Sequence, residues 1–289
     1  MSLINIGRGP SCYNYYVLKC LLDKTVIDEA RSVARSLPKQ GGIYSRSGEN
    51  KMYVYLDKIP SLVALLPQLF DDLHIVGSNF FCSEPTDSKQ DTHGEWHTGH
   101  SLYFGVGGTA YTLWIPLQDL NEETGGRLKL YNGKYISQID DLLNCQVRHV
   151  GNSISNEHSI LKFLNHELDS GCKIENMSVG DALLFDEMLP HQAEKCSIHR
   201  EVLAVRLVIG DYSLDKELIQ RVLTRYRTVP GECSYASEYL ENLLKYGEYK
   251  LPGSTDRVQL DTLTEAMPIE KSASTGTLWQ RVRERIQSR

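Results

Sequence analysis

We start from the stretch Glu95-Trp96-His97-Thr98-Gly99-His100-Ser101-Leu102-Tyr103, whose central motif is His97-Thr98-Gly99. Successive side chains of a β-strand point to opposite faces, so residues 97 and 99 face the same way. A non-haem iron site with two histidines and one carboxylate would place Asp or Glu at the second of these positions. Gly99 has no side chain, and the motif therefore leaves the coordination position of the carboxylate to another ligand.

The composition excludes several classes of protein. The chain has 289 residues, of which 41% are hydrophobic, and this suits a globular protein with a sizeable core. Its formal net charge of -6 argues against a nucleic-acid partner, because such proteins usually display a clustered basic face. No apolar run approaches the roughly 18 residues that a membrane span needs. We therefore expect a protein that binds neither nucleic acid nor membrane.

The cysteines indicate the compartment. There are seven, an odd number, scattered along the chain without a Cys-x-x-Cys pair, and the sequence begins without an apolar signal segment. Reduced thiols are the simplest explanation of this pattern. We expect a cytoplasmic protein in which the cysteines have no assigned role.

Hydrophobic periodicity predicts mostly strands in the middle of the chain. Apolar residues at three- and four-residue spacing predict helices over 25–37 and 60–73, the second with Pro67 inside it. Short runs rich in β-forming residues predict strands. These predicted strands are 13–18, 52–56, 74–82, 111–117, 127–131, 182–185 and 202–209. Glycines at 105, 107 and 108 predict a loop before the fourth of them.

Many short strands separated by turns, with helices mainly at the ends, favour an antiparallel jelly roll over alternating βαβ units. The predicted fold is mainly β with flanking helices, a double-stranded β-helix of the cupin-like type. We expect one domain over 1–289, with its core at about 76–210. Residues 134–176 are interpreted as an insertion that covers the site. Residues from 211 onward are predicted to be mainly helical, and the chain ends in a basic amphipathic helix over 279–289.

Three elements carry candidate chemistry: His97 with Gly99, then His191, then Arg206, each on a predicted strand or at its end. Neutral imidazoles suit a ferrous ion, and two protein ligands leave four positions for small molecules. A buried arginine is costly unless a carboxylate pairs with it. A dicarboxylic cosubstrate meets both needs, because one end chelates iron while the other carboxylate meets Arg206. Thr112 and Trp114 face one way on the neighbouring strand, where they line either a cosubstrate pocket or the ordinary barrel core.

Six motifs of the sequence resemble, in order, those of the Fe(II)/2-oxoglutarate-dependent oxygenases of the phytanoyl-CoA dioxygenase-like group. The motifs are Trp96-His97-Thr98-Gly99, Tyr111-Thr112-Leu113-Trp114-Ile115-Pro116-Leu117-Gln118-Asp119, Thr124-Gly125-Gly126-Arg127-Leu128, Gly180-Asp181-Ala182 to Phe185, Pro190-His191, and Arg206. The resemblance covers roughly residues 76 to 210. It implies iron ligation by His97 and His191 and binding of 2-oxoglutarate by Arg206. The chain departs from the family pattern at Gly99, where members carry Asp or Glu.

This departure resembles the non-haem iron halogenases, in which Gly or Ala replaces the carboxylate ligand. Chloride in place of a carboxylate keeps the number of negative ligands on the metal unchanged. The resemblance implies Fe(II), 2-oxoglutarate, O2 and chloride as cofactors and cosubstrates, and a ferryl that removes hydrogen from an unactivated aliphatic carbon before chlorine or bromine is added. The implied substrate is a small molecule of specialised metabolism or an amino-acid-like compound, free or tethered to a carrier protein.

Several alternatives stay open. His93-Gly94-Glu95 is itself a His-x-Glu motif. If His93 and Glu95 held the iron, the protein would be a hydroxylase or desaturase on the same fold. Gly99 is also what a β-bulge or the close approach of another backbone requires, without any metal chemistry. Arg200 is the alternative to Arg206 as the carboxylate anchor. A jelly roll that binds a ligand or acts as a sensor without turnover is the remaining hypothesis.

Overall fold

The computed structural model describes most of the predicted core. The described residues are 15–36, 56–70, 72–83, 85, 95–99, 105–131, 161–228, 241, 244, 249–250 and 264–266. The strands are β1 (Tyr15–Leu18), β2 (Leu73–Ser83), β3 (Gly105–Pro116), β4 (Leu128–Tyr131), β5 (Cys172–Ile174), β6 (Ala182–Asp186), β7 (His191–Ala193), β8 (Arg200–Leu214), β9 (Tyr249–Lys250) and β10 (Thr264–Ala266). The helices are α1 (Lys24–Ser36), α2 (Pro60–Leu69), α3 (Asn165–Ser170) and α4 (Lys216–Thr228).

The strands form two antiparallel sheets. The larger sheet has the order β10-β1-β6-β3-β8-β2-β9, and the smaller sheet has the order β5-β4-β7. Consecutive strands alternate between the two sheets from β6 to β8, and an isolated bridge between His97 and His191 adds a further segment beside β7. This is the double-stranded β-helix that the sequence predicts, and the jelly-roll fold class is confirmed.

The larger sheet separates two apolar clusters. On β3, Tyr111, Leu113 and Ile115 belong to an outer cluster that also contains the buried faces of α1 and α2. Trp114, of the opposite parity, belongs to the cluster in the barrel interior. The two clusters follow from the two-residue period of a strand, because alternate side chains enter opposite layers. Burial of apolar surface on both faces fixes the register of the sheet.

The same alternation sets the direction of the polar residues on β8. Leu203, Val205 and Leu207 belong to the outer cluster, whereas Val202 and Ala204 belong to the interior cluster. Arg200 and Arg206 share the parity of the interior residues. Both arginines therefore lie on the barrel face of β8, six residues apart along one strand.

Most of the predicted elements agree with the structure. Helix α1 matches the prediction over 25–37, and β1, β2, β4, β6 and β8 match predicted strands. Helix α2 ends at Leu69, earlier than predicted, because the chain becomes extended at Phe70 before β2. The strand predicted over 52–56 is outside the described residues except for Leu56, which begins a 3-10 helix.

Three predictions about loops and ends were wrong. The glycines at 105–108 do not form a loop: β3 already begins at Gly105 and carries an irregularity between Gly107 and Thr109, where positive φ angles suit glycine. The end of the presumed 134–176 insertion is part of the barrel, since β5 pairs with β4; residues 132–160 are outside the described part. Strand β8 continues to Leu214, and β9 and β10 interrupt the predicted helical end.

The predicted helix over 279–289 also lies outside the described residues. Within the described helices, none combines the length and the apolar character that a membrane crossing requires.

Candidate functional site

The two predicted iron ligands lie side by side in the barrel. The backbone of His97 and that of His191 form an antiparallel bridge, with N to O distances of 3.0 and 2.8 Å. Directly opposed residues of an antiparallel bridge place their side chains on the same face. The centroids of the two imidazole rings are accordingly 4.2 Å apart, with a tilt of 57° between the rings.

Each imidazole is oriented by the same local contact. The Nδ1 of His97 is 2.9 Å from the carbonyl oxygen of Glu95, and the Nδ1 of His191 is 2.8 Å from that of Leu189. A backbone carbonyl only accepts, so Nδ1 carries the proton and Nε2 is the lone-pair nitrogen in both neutral rings. Metal-binding histidines are commonly oriented in this way. Phe185 packs its edge against the His191 ring at 4.9 Å and limits its rotation.

The space beside Gly99 is occupied by Glu187, a residue that the sequence analysis did not single out. A Cβ built on Gly99 would lie 1.6 Å from Cγ, 2.3 Å from Cδ and 2.5 Å from Oε1 of Glu187. The backbone N–H of Gly99 also donates to the carbonyl oxygen of Glu187. Gly99 therefore permits the close approach of another residue, as one of the alternatives anticipated, although this approach is by a side chain that brings a carboxylate.

The Glu187 side chain is fully buried, and Arg206 is near it. The distance from Nε of Arg206 to Oε1 of Glu187 is 3.7 Å, and the Arg206 side chain is 16% exposed. This is an ion-pair distance, longer than a direct hydrogen bond. Arg206 thus faces a protein carboxylate at the place where the sequence analysis expected the carboxylate of a cosubstrate.

Thr112 is the direct partner of Arg206 on β3, and Gly77 is its partner on β2. Trp114, two residues further along β3, is buried in the interior cluster. The structure therefore brings Arg206, Thr112 and Trp114 to one face of the larger sheet, with Thr112 beside Arg206. Both uncharged residues line the barrel interior, as either of the two interpretations of them requires.

Arg200 lies at the opposite end of the same strand. Six residues of β-strand span roughly 20 Å, so Arg200 and Arg206 are at different levels of the barrel. The Arg200 side chain is buried, and its Nη1 donates to the carbonyl oxygen of Gly126 at 3.0 Å. Gly126 approaches the Arg200 side chain so closely that a Cβ there would be 2.9 Å from its Cδ.

The structure does not favour Glu95 as the metal-binding carboxylate of the alternative pair. The carboxylate of Glu95 is 56% exposed and lies 3.9 Å from Nζ of Lys162 at the surface. What Glu95 contributes to the site is its backbone carbonyl, which orients His97. His93 is outside the described residues.

A groove of about 780 Å³ runs along the outer side of the smaller sheet. Its walls include Lys129 and Gln192, which are paired in the sheet and alternate with the inward-facing Leu130 and His191. Lys129 and Gln192 therefore face away from His191, although Glu95 and Trp96, which precede His97 in the chain, also line the groove. It is lined by cations and carboxylates together, and we assign it no role in the chemistry of the histidines.

The described part of the chain contains no group of three or more His, Cys, Asp or Glu side chains arranged to hold a metal ion. The two imidazoles form a pair, and the carboxylate of Glu187 is beside Gly99 but also near Arg206. The sequence contained one signal for Glu187, namely its position shortly before Pro190-His191 in Asp186-Glu187-Met188-Leu189. The structure adds that this stretch is buried. Acidic residues are seldom fully buried without a partner or a function.

Comparisons with solved structures agree with the fold. The structure resembles the non-heme alpha ketoglutarate dependent epimerase SnoN from nogalamycin biosynthesis, at 14% identity and a TM-score of 0.51, over 77% of this chain and 87% of that chain. It also resembles HygX from Streptomyces hygroscopicus, crystallised with nickel and 2-oxoglutarate, at 12% identity and a TM-score of 0.45, over 68% and 84% of the two chains. No family model and no curated protein matches the sequence. At these identities the likeness to SnoN shows the double-stranded β-helix fold and nothing finer.

Proposed function

We propose that the protein is a ferrous iron and 2-oxoglutarate-dependent oxidoreductase that acts on a small molecule. The observation that carries this proposal is the pair of imidazoles in the barrel, each with Nδ1 bound to a backbone carbonyl and Nε2 left as the lone-pair nitrogen. Two neutral imidazoles on adjacent segments of a double-stranded β-helix suit a ferrous ion. The likeness to SnoN, a non-heme alpha ketoglutarate dependent enzyme, supports the same assignment.

The residues present fit the iron and its cosubstrate. His97 and His191 would hold the metal, and Arg206 is the cation that would bind the distal carboxylate of 2-oxoglutarate in a charge-assisted contact. Iron with 2-oxoglutarate and O2 supplies the oxidising power that removes a hydrogen atom from a carbon of the substrate. The protein's part is to orient the imidazoles, to place a cation on the barrel wall and to exclude water with Trp114 and Phe185.

Two outcomes of that chemistry are possible, and one observation favours each. Gly99 in place of a carboxylate favours halogenation, because chloride or bromide can then occupy a position on the metal. The side chain of Glu187 beside Gly99 favours an oxygenation or a related oxidation, because it fills the same space with a carboxylate. Because an anion already occupies that space, we place oxygenation first and keep halogenation as the second candidate. A halide would require the Glu187 side chain to move away.

Metal binding tests the carrying observation. We expect His97→Ala and His191→Ala each to weaken anaerobic Fe(II) binding by at least about 100-fold, because each removes one of two imidazole ligands. His166→Ala, which changes an exposed histidine on α3, is the matched control and should bind Fe(II) like the unchanged protein. Unaltered Fe(II) affinity in both test variants would reject the proposed site.

Turnover tests the cosubstrate and the outcome. Iron-loaded protein should convert 2-oxoglutarate to succinate, and a broad pool of small molecules with chloride present should give hydroxylated, desaturated or chlorinated products in mass spectrometry. Chlorine isotope patterns would establish the second candidate. Tight Fe(II) binding without succinate from any pool would instead support the ligand-binding or sensor hypothesis.

A further inference from the structure

We propose that Glu187 supplies, from the turn between β6 and β7, the metal-site carboxylate that Gly99 lacks. The inference rests on the proposed iron site, because it takes His97 and His191 as the other two protein ligands. The site would then contain two histidines and one carboxylate in composition, with the carboxylate moved from the His-x-Asp position to a residue that precedes the distal histidine by four.

The position of the Glu187 side chain is the first argument. In an Asp at residue 99, the carboxylate carbon would lie roughly 1.5 Å and its oxygens roughly 2.4 Å from Cβ, as ordinary bond lengths and angles require. Measured from a Cβ built on Gly99, Glu187 has Cγ at 1.6 Å, Cδ at 2.3 Å and Oε1 at 2.5 Å. The end of the Glu187 side chain therefore lies as close to this Cβ as the side chain of an aspartate at position 99 would, and Glu187 brings a carboxylate next to that position.

The backbone around Glu187 is the second argument. The N–H of Glu187 donates to the carbonyl oxygen of Ala110 on β3 at 3.1 Å, while its carbonyl oxygen accepts from Gly99. The next residue, Met188, donates its N–H to a carboxylate oxygen of Asp186 at 2.9 Å. These hydrogen bonds tie the turn to the β3 strand and to the His97 segment. Only the side-chain torsions of Glu187 remain to decide where its carboxylate points.

Charge is the third argument. Glu187 is fully buried, and a buried carboxylate is stable only with a compensating charge. Arg206 is within ion-pair distance of Glu187, and Gly99, against which the Glu187 side chain packs, is two residues from His97. A divalent cation between the imidazoles would add a second positive charge beside the same carboxylate. Arg206 and the metal ion would therefore both compensate the charge of this carboxylate.

The described side chains form no ready-made three-ligand chelate, so the proposal includes a movement. Glu187 turns from Arg206 toward the imidazoles when iron binds. This rotation leaves Arg206 to the distal carboxylate of 2-oxoglutarate. One buried carboxylate thus links the two ligands: it is near the arginine before binding and on the metal side afterwards.

A carboxylate exchange tests the proposal directly. The variants are Glu187→Ala, Gly99→Asp and the double variant Gly99→Asp with Glu187→Ala, and Co(II) or Fe(II) affinity is measured anaerobically by calorimetry. We expect Glu187→Ala to weaken metal binding by at least about 10-fold and the double variant to restore it to within about 3-fold, because the carboxylate returns to position 99. Glu201→Ala, a carboxylate near the start of β8, is the control and should leave metal affinity unchanged.

Two further measurements keep the result decisive. Glu187→Gln keeps the size of the side chain, so it tests the charge even if Glu187→Ala folds poorly, and circular dichroism checks the fold of each variant. The absorption spectrum of bound Co(II) should change in Glu187→Gln, because its ligand set changes.

Unchanged metal affinity and an unchanged Co(II) spectrum in the Glu187 variants would overturn the inference, and tighter 2-oxoglutarate binding in those variants would then show that Glu187 serves Arg206 alone. The proposed function fails separately, if His97→Ala and His191→Ala bind metal normally.

Discussion

Two charged regions of the barrel differ in how their groups are held. In the first, which we call the arginine end, Arg127 and Glu194 lie on the outer face of the smaller sheet and Arg200 contacts Gly126 from β8, and the contacts are direct hydrogen bonds. Arg127 meets Glu194 through Nε at 2.7 Å and Nη2 at 3.2 Å, and Arg200 meets the carbonyl of Gly126 at 3.0 Å. The two-point contact between Arg127 and Glu194 fixes the orientation of that guanidinium.

At the histidine end, which we define by His97, Gly99, Glu187, His191 and Arg206, the groups are closely packed but the ion pair is longer than a direct hydrogen bond. Arg206 and Glu187 are 3.7 Å apart, and the imidazole centroids are separated by 4.2 Å. At the arginine end, by contrast, the hydrogen bond to Glu194 raises the pKa of Arg127, against the lowering effect of burial. The difference teaches that direct hydrogen bonds fix the guanidinium groups of the arginine end, whereas a longer ion pair joins Arg206 to the buried Glu187 at the histidine end.

The largest expected effect is at the histidine end, in the variant Gly99→Ala. In Gly99→Ala the new Cβ would overlap Cγ of Glu187, so the buried side chain must be displaced, and we expect a loss of about 3 kcal/mol in the free energy of unfolding. Urea denaturation measures it. The same substitution in a Glu187→Ala background should cost much less, because the clash is gone. Equal losses in the two backgrounds would show that Glu187 is not what requires glycine at position 99.

A smaller effect is expected at the arginine end. Glu194→Ala removes both hydrogen bonds to the mostly buried guanidinium of Arg127, and we expect a loss of about 2 kcal/mol in unfolding free energy. Anaerobic Fe(II) affinity should be unchanged in the same variant, since Glu194 and Arg127 are on the outer face of the smaller sheet, whereas His191 faces the interior. A drop in Fe(II) affinity without loss of stability would remove the distinction between the two ends.

The two arginines of β8 sharpen the comparison. Arg206→Ala should weaken 2-oxoglutarate binding by at least about 10-fold, or about 1.4 kcal/mol, because the cation for the distal carboxylate is lost. Arg200→Ala is the matched control: it should lower the unfolding free energy through its contact with Gly126 and leave 2-oxoglutarate affinity of the folded protein unchanged. Calorimetric titration of both variants checks this, and the reverse result would make Arg200 the anchor.

The smallest expected effect concerns a contact outside both regions, in which Tyr15 of β1 donates to Glu175 at 3.1 Å. Burial, and then the charge of Glu175, raise the pKa of Tyr15 above its usual value of 10.0. A raised pKa in the folded state stabilises the protein below pH 10, and that contribution is lost as the pH rises further. Tyr15→Phe should therefore flatten the alkaline decline in unfolding free energy, as measured by denaturation between pH 8 and pH 11. An identical decline in the variant would contradict the assignment.

The sequence predicted the part of the site that depends on strand periodicity. His97, Thr112, Trp114 and Arg206 were assigned to strands, and the structure places Thr112 and Trp114 on β3 and Arg206 on β8, whereas His97 forms only an isolated bridge with His191. Alternation along a strand decides which side chains face the interior, and this information is local. The choice between Arg206 and Arg200 was not local, because both share one parity and only the neighbouring strands distinguish them.

Sequence alone also determined that position 99 has no side chain, since glycine is read directly from the chain. It did not determine what fills the space. Glu187 reaches Gly99 because the turn after β6 is hydrogen-bonded to β3 and to the His97 segment, which are distant in the chain. Contacts of that kind depend on how two sheets close into a barrel, and no spacing within one strand encodes them. The tertiary structure thus decided which side chain fills the space beside Gly99.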